Sequence, residues 1–210
     1  LTPPKSHMDS PPPPEPTTFT VAGVTYAIAY DATISMARAN GIALVLTPVV
    51  FLGLLVVYRL LWATGGIHQD IFQLRYLPWL LLILVLSIII HEGLPAVGFV
   101  LVGRVPLSAI KFGFSWQGLA PYAHCQVPLT ISAYRLSVLL PGFVLGFLPA
   151  LVGLLIGSFA LLLYGAVMLV TAGGDLAVFL AVRSVPSGAR VIDHPTAPGC
   201  HVLQDNGVNE

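Results

Sequence analysis

A histidine and a carboxylate stand side by side, His91-Glu92, in the middle of an apolar run from Leu77 to Val102. Inside such a run an ionisable group costs roughly 2.5–3.5 kcal/mol or more on insertion scales, so the pair needs a compensating role. Other acids are scarce: between Asp70 and Asp193 the chain has only Glu92 and Asp175, and both fall in apolar stretches. At about 1.5 Å rise per residue, His91 lies roughly 17 Å from the Val102 end of its helix, and Asp175 roughly 11 Å from the Val182 end of its own. The two share a level wherever these helices touch. A His-Glu pair on one helix with an Asp on another is the material of a zinc site, with imidazole and carboxylate ligands and a neighbouring Glu to take a proton from metal-bound water.

The elements that must position these groups are membrane helices. Of the 210 residues 56% are hydrophobic and only 9% charged, against about 25% charged in an ordinary soluble domain. Four stretches approach the roughly 20 apolar residues that cross a bilayer: about Gly41 to Tyr58, Pro78 to Val102, Ile131 to Ile156 and Phe159 to Val182. Pro48 predicts a kink in the first, and Pro78 suits the first turn of the second. The third carries Gly142 and Gly146, then Gly153 and Gly157, spacings that allow close helix approach. Gly157-Ser158 predicts a tight turn into the fourth. The expected fold is an all-α polytopic membrane protein of about four transmembrane helices, with a short β-hairpin or re-entrant segment between helices 2 and 3.

Three regions follow from the composition. Residues 1–38 form a Pro-rich, disordered N-terminal tail, residues 39–184 the membrane domain, and residues 185–210 a polar C-terminal tail. Within the first, residues 21–40 are open between a short strand and an interfacial segment. The first long apolar run starts near Gly41 and is too long for a typical signal core. With four spans and both termini cytoplasmic, the inside carries Lys5, Arg38, Arg104, Lys111, Arg135, Arg183 and Arg190, against Arg59 and Arg75 outside; the positive-inside rule selects this orientation. The segment Ile110-Lys111-Phe112-Gly113-Phe114-Ser115-Trp116, with His124-Cys125 after it, then lies on the cytoplasmic side, its aromatics seated among headgroups. Zero net charge and the lack of a long basic tract exclude nucleic acid as a partner. The expected partners are the lipid bilayer and a membrane-protein or peptide substrate.

His91-Glu92-Gly93-Leu94-Pro95 resembles the HExxH helix of membrane zincins, and Gly174-Asp175 resembles the Asp-bearing last-helix motif of the site-2 protease class. The arc from His91 to about Leu203 resembles a bacterial domain-of-unknown-function family described as putative zincin peptidases. The matching stretches are Lys111-Phe112-Gly113-Phe114, Pro121-Tyr122-Ala123-His124, Leu140-Pro141-Gly142 to Leu148-Pro149-Ala150, Ala172-Gly173-Gly174-Asp175, Val191-Ile192-Asp193-His194-Pro195 and Gly199-Cys200. The resemblance implies zinc held by His91 and Asp175, Glu92 as general base, and a bacterial plasma-membrane location. One position departs from the pattern. Pro95 stands where the second histidine belongs, four residues on and on the same helical face, and proline carries no ligand atom. Two protein ligands fall short of the three expected of a catalytic zinc, so His124 is the first candidate replacement and Cys125 a weaker one.

The remaining histidines read as ordinary: His194 and His201 as tail residues, His7 and His68 as surface residues. Three functions are compatible with the residues: a zinc metallopeptidase that hydrolyses peptide bonds with zinc-activated water, a catalytically inactive scaffold that keeps the fold, and a small transporter or proton relay built on Glu92 and Asp175.

Overall fold

The computed structural model describes residues 17–21, 23–63, 75, 77–115 and 120–204. The proline-rich stretch 1–16, most of the connection after Thr64, Trp116, and the histidines His7 and His68 lie outside the described residues. Strands β1 (Thr18–Val21) and β2 (Val24–Thr33) lead into helix α1 (Met36–Leu61). Its N-cap is Ser35, whose hydroxyl accepts from the Arg38 N–H. Helix α2 (Leu77–Leu101) runs through Pro95, which supplies no N–H to the His91 carbonyl. Next come the hairpin β3 (Ile110–Ser115) and β4 (Ala120–Cys125), then β5 (Leu129–Thr130).

Thr130 caps a rod of 26 residues, Ile131–Ile156. It comprises α3 (Ile131–Pro141), a π-helical stretch (Gly142–Phe147) and α4 (Leu148–Ile156). Gly157, with φ 71°, ends the rod in the left-handed conformation, and Ser158 caps α5 (Phe159–Thr171). The expected Gly157-Ser158 turn is therefore in place. Helix α6 (Gly173–Val182) continues from α5 at a bend of 45°. Strands β6 (Arg190–Asp193) and β7 (Gly199–Leu203) close the described chain.

The all-α expectation is overturned. A five-stranded antiparallel sheet, ordered β1-β2-β7-β6-β5, joins the two ends of the chain, and β3-β4 form a second, two-stranded sheet. The architecture is mixed α/β. Residues 18–33 and 190–203, read from composition as parts of two tails, are the strands of that sheet. Neither segment carries the signal alone, because β2 completes its ladder on β7, with Asp31 opposite His201. Pairing at that sequence separation leaves no local pattern. Three helices, Met36–Leu61, Leu77–Leu101 and Ile131–Ile156, are long and apolar enough to cross a membrane, or four spans if the bent pair α5 and α6 counts as one.

Two cores hold the layers together. Under the sheet, Val191, Cys200 and Val202 pack with Cys125, Ile131, Phe99 and Val182, so strands and the ends of α2, α3 and α6 share one buried cluster. At the far end Tyr58 packs with Ala150 and Leu162. There the Tyr58 hydroxyl donates to the Gly157 carbonyl at 2.8 Å, and the Trp62 indole N–H to the Leu154 carbonyl at 2.9 Å. These are carbonyls of the kind that a helix C-terminus leaves without intrahelical donors. By contrast, the outer faces of α1 and α2 are apolar and exposed; Leu44 is 74% and Leu60 77% accessible.

Tyr134 of α3 ties the helical layer to the sheet. Its buried hydroxyl donates toward both Asp193 Oδ1 and the Gly199 carbonyl, each at 3.0 Å. Tyr134→Phe should lower unfolding stability by about 1–3 kcal/mol, because it strips donors from acceptors in a poorly solvated place. Denaturant titration of the detergent-solubilised protein measures this, and an unchanged midpoint would show that the hydroxyl is dispensable.

Candidate functional site

The buried residues of α2 are Ser87, His91, Ala96, Gly98 and Phe99. Ser87, His91 and Gly98, spaced four and seven apart, recur on one stripe of the helix. Along it the Ser87 hydroxyl donates to the Ile83 carbonyl at 2.7 Å and lies 2.8 Å from the Tyr164 hydroxyl of α5. Gly98 is the point of closest approach to α3: a Cβ there would lie 2.8 Å from the Ser137 Cα and 2.5 Å from its Oγ. Glycine at 98 lets the two backbones touch.

Asp175 comes from the first turn of α6, where the helix dipole favours an anion. Gly173 sets that turn against α1, since a Cβ on it would lie 2.9 Å from the Ala43 Cβ. Gly174 has open space around its Cβ position, so packing does not require glycine there.

The structure brings His91 and Asp175 together. His91 Nε2 and Asp175 Oδ2 are 2.9 Å apart, with side chains 8% and 27% accessible. The contact has the separation of an ion pair, and among the described residues no further hydrogen-bond partner reaches Asp175 Oδ2 or His91 Nδ1. Both atoms are buried. Ligand atoms on one tetrahedral zinc, at bonds of about 2.0–2.2 Å, stand roughly 3.3 Å apart. A shift of a few tenths of an ångström separates the present pair from that spacing. Glu92, the next residue of α2, is half-buried and coupled electrostatically to both His91 and Asp175.

The proposed third ligands are elsewhere. His124 lies opposite Lys111 in the β3-β4 ladder, with its Nδ1 3.4 Å from Asp193 Oδ2. Cys125 is fully buried, its thiol donating to the Val127 carbonyl at 3.3 Å. Burial raises that thiol above its ordinary range, and a thiol held protonated is a poor ligand. No group of three ligand atoms forms around His91 among the described residues. Among the described residues His91 and Asp175 thus offer two donor atoms of the kind zinc takes, and no third side chain joins them.

Beside Asp175 runs an apolar cleft of about 280 Å³, lined by Val138, Gly142, Phe143, Leu169, Ala172 and Asp175 among others. It opens along the π-helical stretch, an irregularity frequent at functional sites. Asp175 is the one ionisable group on its wall.

Reading the tail histidines as ordinary missed a second cluster. Asp31, His194 and His201 are the one group of three or more His, Cys, Asp or Glu residues, among those described, whose ligand atoms all lie within 4.8 Å of each other. The only local hint was two histidines flanking a Pro- and Gly-containing turn. Asp31 belongs to the other end of the chain and gave no signal.

A family model described as "Putative zincin peptidase" matches residues 83–190, a little over half of the chain. The matched segment contains His91, Glu92, Pro95, His124 and Asp175, while Asp31, His194 and His201 fall outside it. Neither the curated proteins nor the solved structures give a match.

The 2.9 Å contact predicts energetic coupling. In a double-mutant cycle of His91→Ala and Asp175→Ala, followed by unfolding in detergent, the interaction energy should be about 0.5–3 kcal/mol. Effects that simply add would show that the two side chains do not sense each other.

Proposed function

This chain belongs to the family described as "Putative zincin peptidase", and on that premise we propose that it is a membrane-embedded, metallopeptidase-like protein with a zinc site one ligand short. The observation that carries the proposal is the 2.9 Å approach of His91 Nε2 to Asp175 Oδ2 in a largely buried setting. Membrane embedding is supported by the three long apolar helices and by the exposed leucines on their outer faces. The distribution of Lys and Arg favours both termini on the cytoplasmic side.

His91 and Asp175 would hold the metal and Glu92 would accept and return the proton. Bound zinc would supply Lewis acidity for a peptide carbonyl and lower the pKa of a water. The cleft beside Asp175 offers apolar walls to an apolar peptide segment. Against turnover stands Pro95. A catalytic zinc takes three protein ligands and keeps a fourth position open, whereas two ligands give a weaker and less defined site. The proposal is therefore a degenerate site that keeps the base and two ligands, with peptide hydrolysis slow or lost and binding in the cleft retained.

Zinc analysis of the purified protein tests this by difference. His91→Ala should remove well under one equivalent from the wild type, whereas Pro95→His should add close to one, lost again when Asp175→Asn is combined with it. A wild-type protein that loses a full equivalent on His91→Ala and cleaves a membrane peptide would refute degeneracy and establish an active peptidase.

A further inference from the structure

We propose that Asp31, His194 and His201 form a second binding site, for a divalent transition-metal ion, on the face of the five-stranded sheet turned away from the core. The three residues come from β2, from the turn between β6 and β7, and from β7. Asp31 and His201 are direct cross-strand partners. On β7 the neighbours of His201, Cys200 and Val202, are buried in the core, so alternation along the strand turns His201 to the opposite face.

Within the cluster, His201 Nδ1 lies 2.5 Å from Asp31 Oδ1. A carboxylate accepts only, so Nδ1 carries the proton while the pair is metal-free, and an ion that displaces that proton would be ligated by Nδ1 and Oδ1 together. The His194 ring is 4.4 Å from that of His201 between centroids. Its position is set by the turn: the His194 N–H donates to the Gly199 carbonyl at 3.0 Å, and its Nδ1 accepts from the Thr196 and Ala197 N–H groups at 3.2 and 2.8 Å. Ligation through His194 Nε2 moves the ring proton to Nδ1, exchanging two turn hydrogen bonds for one metal bond. Two imidazoles and a carboxylate select zinc, nickel, copper or cobalt over calcium or magnesium. Asp31 is 51% accessible, which leaves coordination positions open to water. An ion here would clamp strands from the two ends of the chain.

The site is independent of the helix pair, and its three residues lie outside the family-matched segment. The test is calorimetric titration of zinc into the full-length protein in detergent. One ion should bind the wild type, His91→Ala and Asp175→Asn alike, and bind at least tenfold more weakly to His201→Ala and His194→Gln, with Asp31→Asn as a variant that preserves side-chain shape. Circular dichroism confirms that each variant is folded. Unchanged binding in folded His201→Ala, or no ion bound by the wild type, overturns the site. Loss in His91→Ala with retention in His201→Ala also overturns it and assigns the ion to the helix pair instead.

Discussion

Two ionisable side chains can be held among apolar helices only where each answers the other, and the arrangement of the helical layer follows from meeting that requirement for His91 and Asp175. Their atoms reach 2.9 Å where two pairs of helices come close. Gly98 lets α2 press on Ser137 of α3, and Gly173 lets the start of α6 press on Ala43 of α1. A Cβ at either position would enter space already filled, and the helices would have to part. Ser87 and Tyr164 continue the same polar seam toward α5. The seam is short, and around it α1 and α2 present uninterrupted apolar surface.

The sheet performs the complementary task of holding the helix ends in register. Val191, Cys200 and Val202 pack directly on the ends of α2, α3 and α6, and Tyr134 and Arg135 reach across the same boundary. Arg135 donates to the Val182 carbonyl at 2.8 Å and to that of Arg183 at 2.9 Å, covering the free carbonyls at the end of α6. Asp193 is the shared acceptor, taking the Tyr134 hydroxyl and the Cys125 N–H. Burial raises the Cys125 thiol and pushes that of Cys200 up to about 12. Both cysteines are free and buried, and serve as small core residues rather than as reactive groups.

The site was legible to the degree that its chemistry is local. His91-Glu92 announced itself by standing in an apolar run, and Asp175 by being the only other acid between Asp70 and Asp193. Pro95 stood out only against the resemblance to the HExxH helix, which implies a histidine at that position. His124 was misread. Its place in the chain suggested a segment able to fold back into the helices, but its side chain turns to Asp193. The segment after α2 was legible as a β-hairpin or re-entrant segment, whereas residues 21–40 stayed open between a strand and an interfacial segment, because short segments at opposite ends of a chain show no pairing signal until they meet.

Composition and periodicity determined the apolar helices and singled out the ionisable groups within them, because helix formation and burial depend on residues within a few turns of one another. Only the tertiary structure decided that His91 meets Asp175 and not His124, and that Asp31, His194 and His201 share a face. Those outcomes rest on where helices cross and on which strand completes another's ladder. Crossing points are set by the few positions where glycine lets backbones touch, and strand partners by hydrogen-bond closure between segments far apart in the chain, neither of which a local pattern encodes.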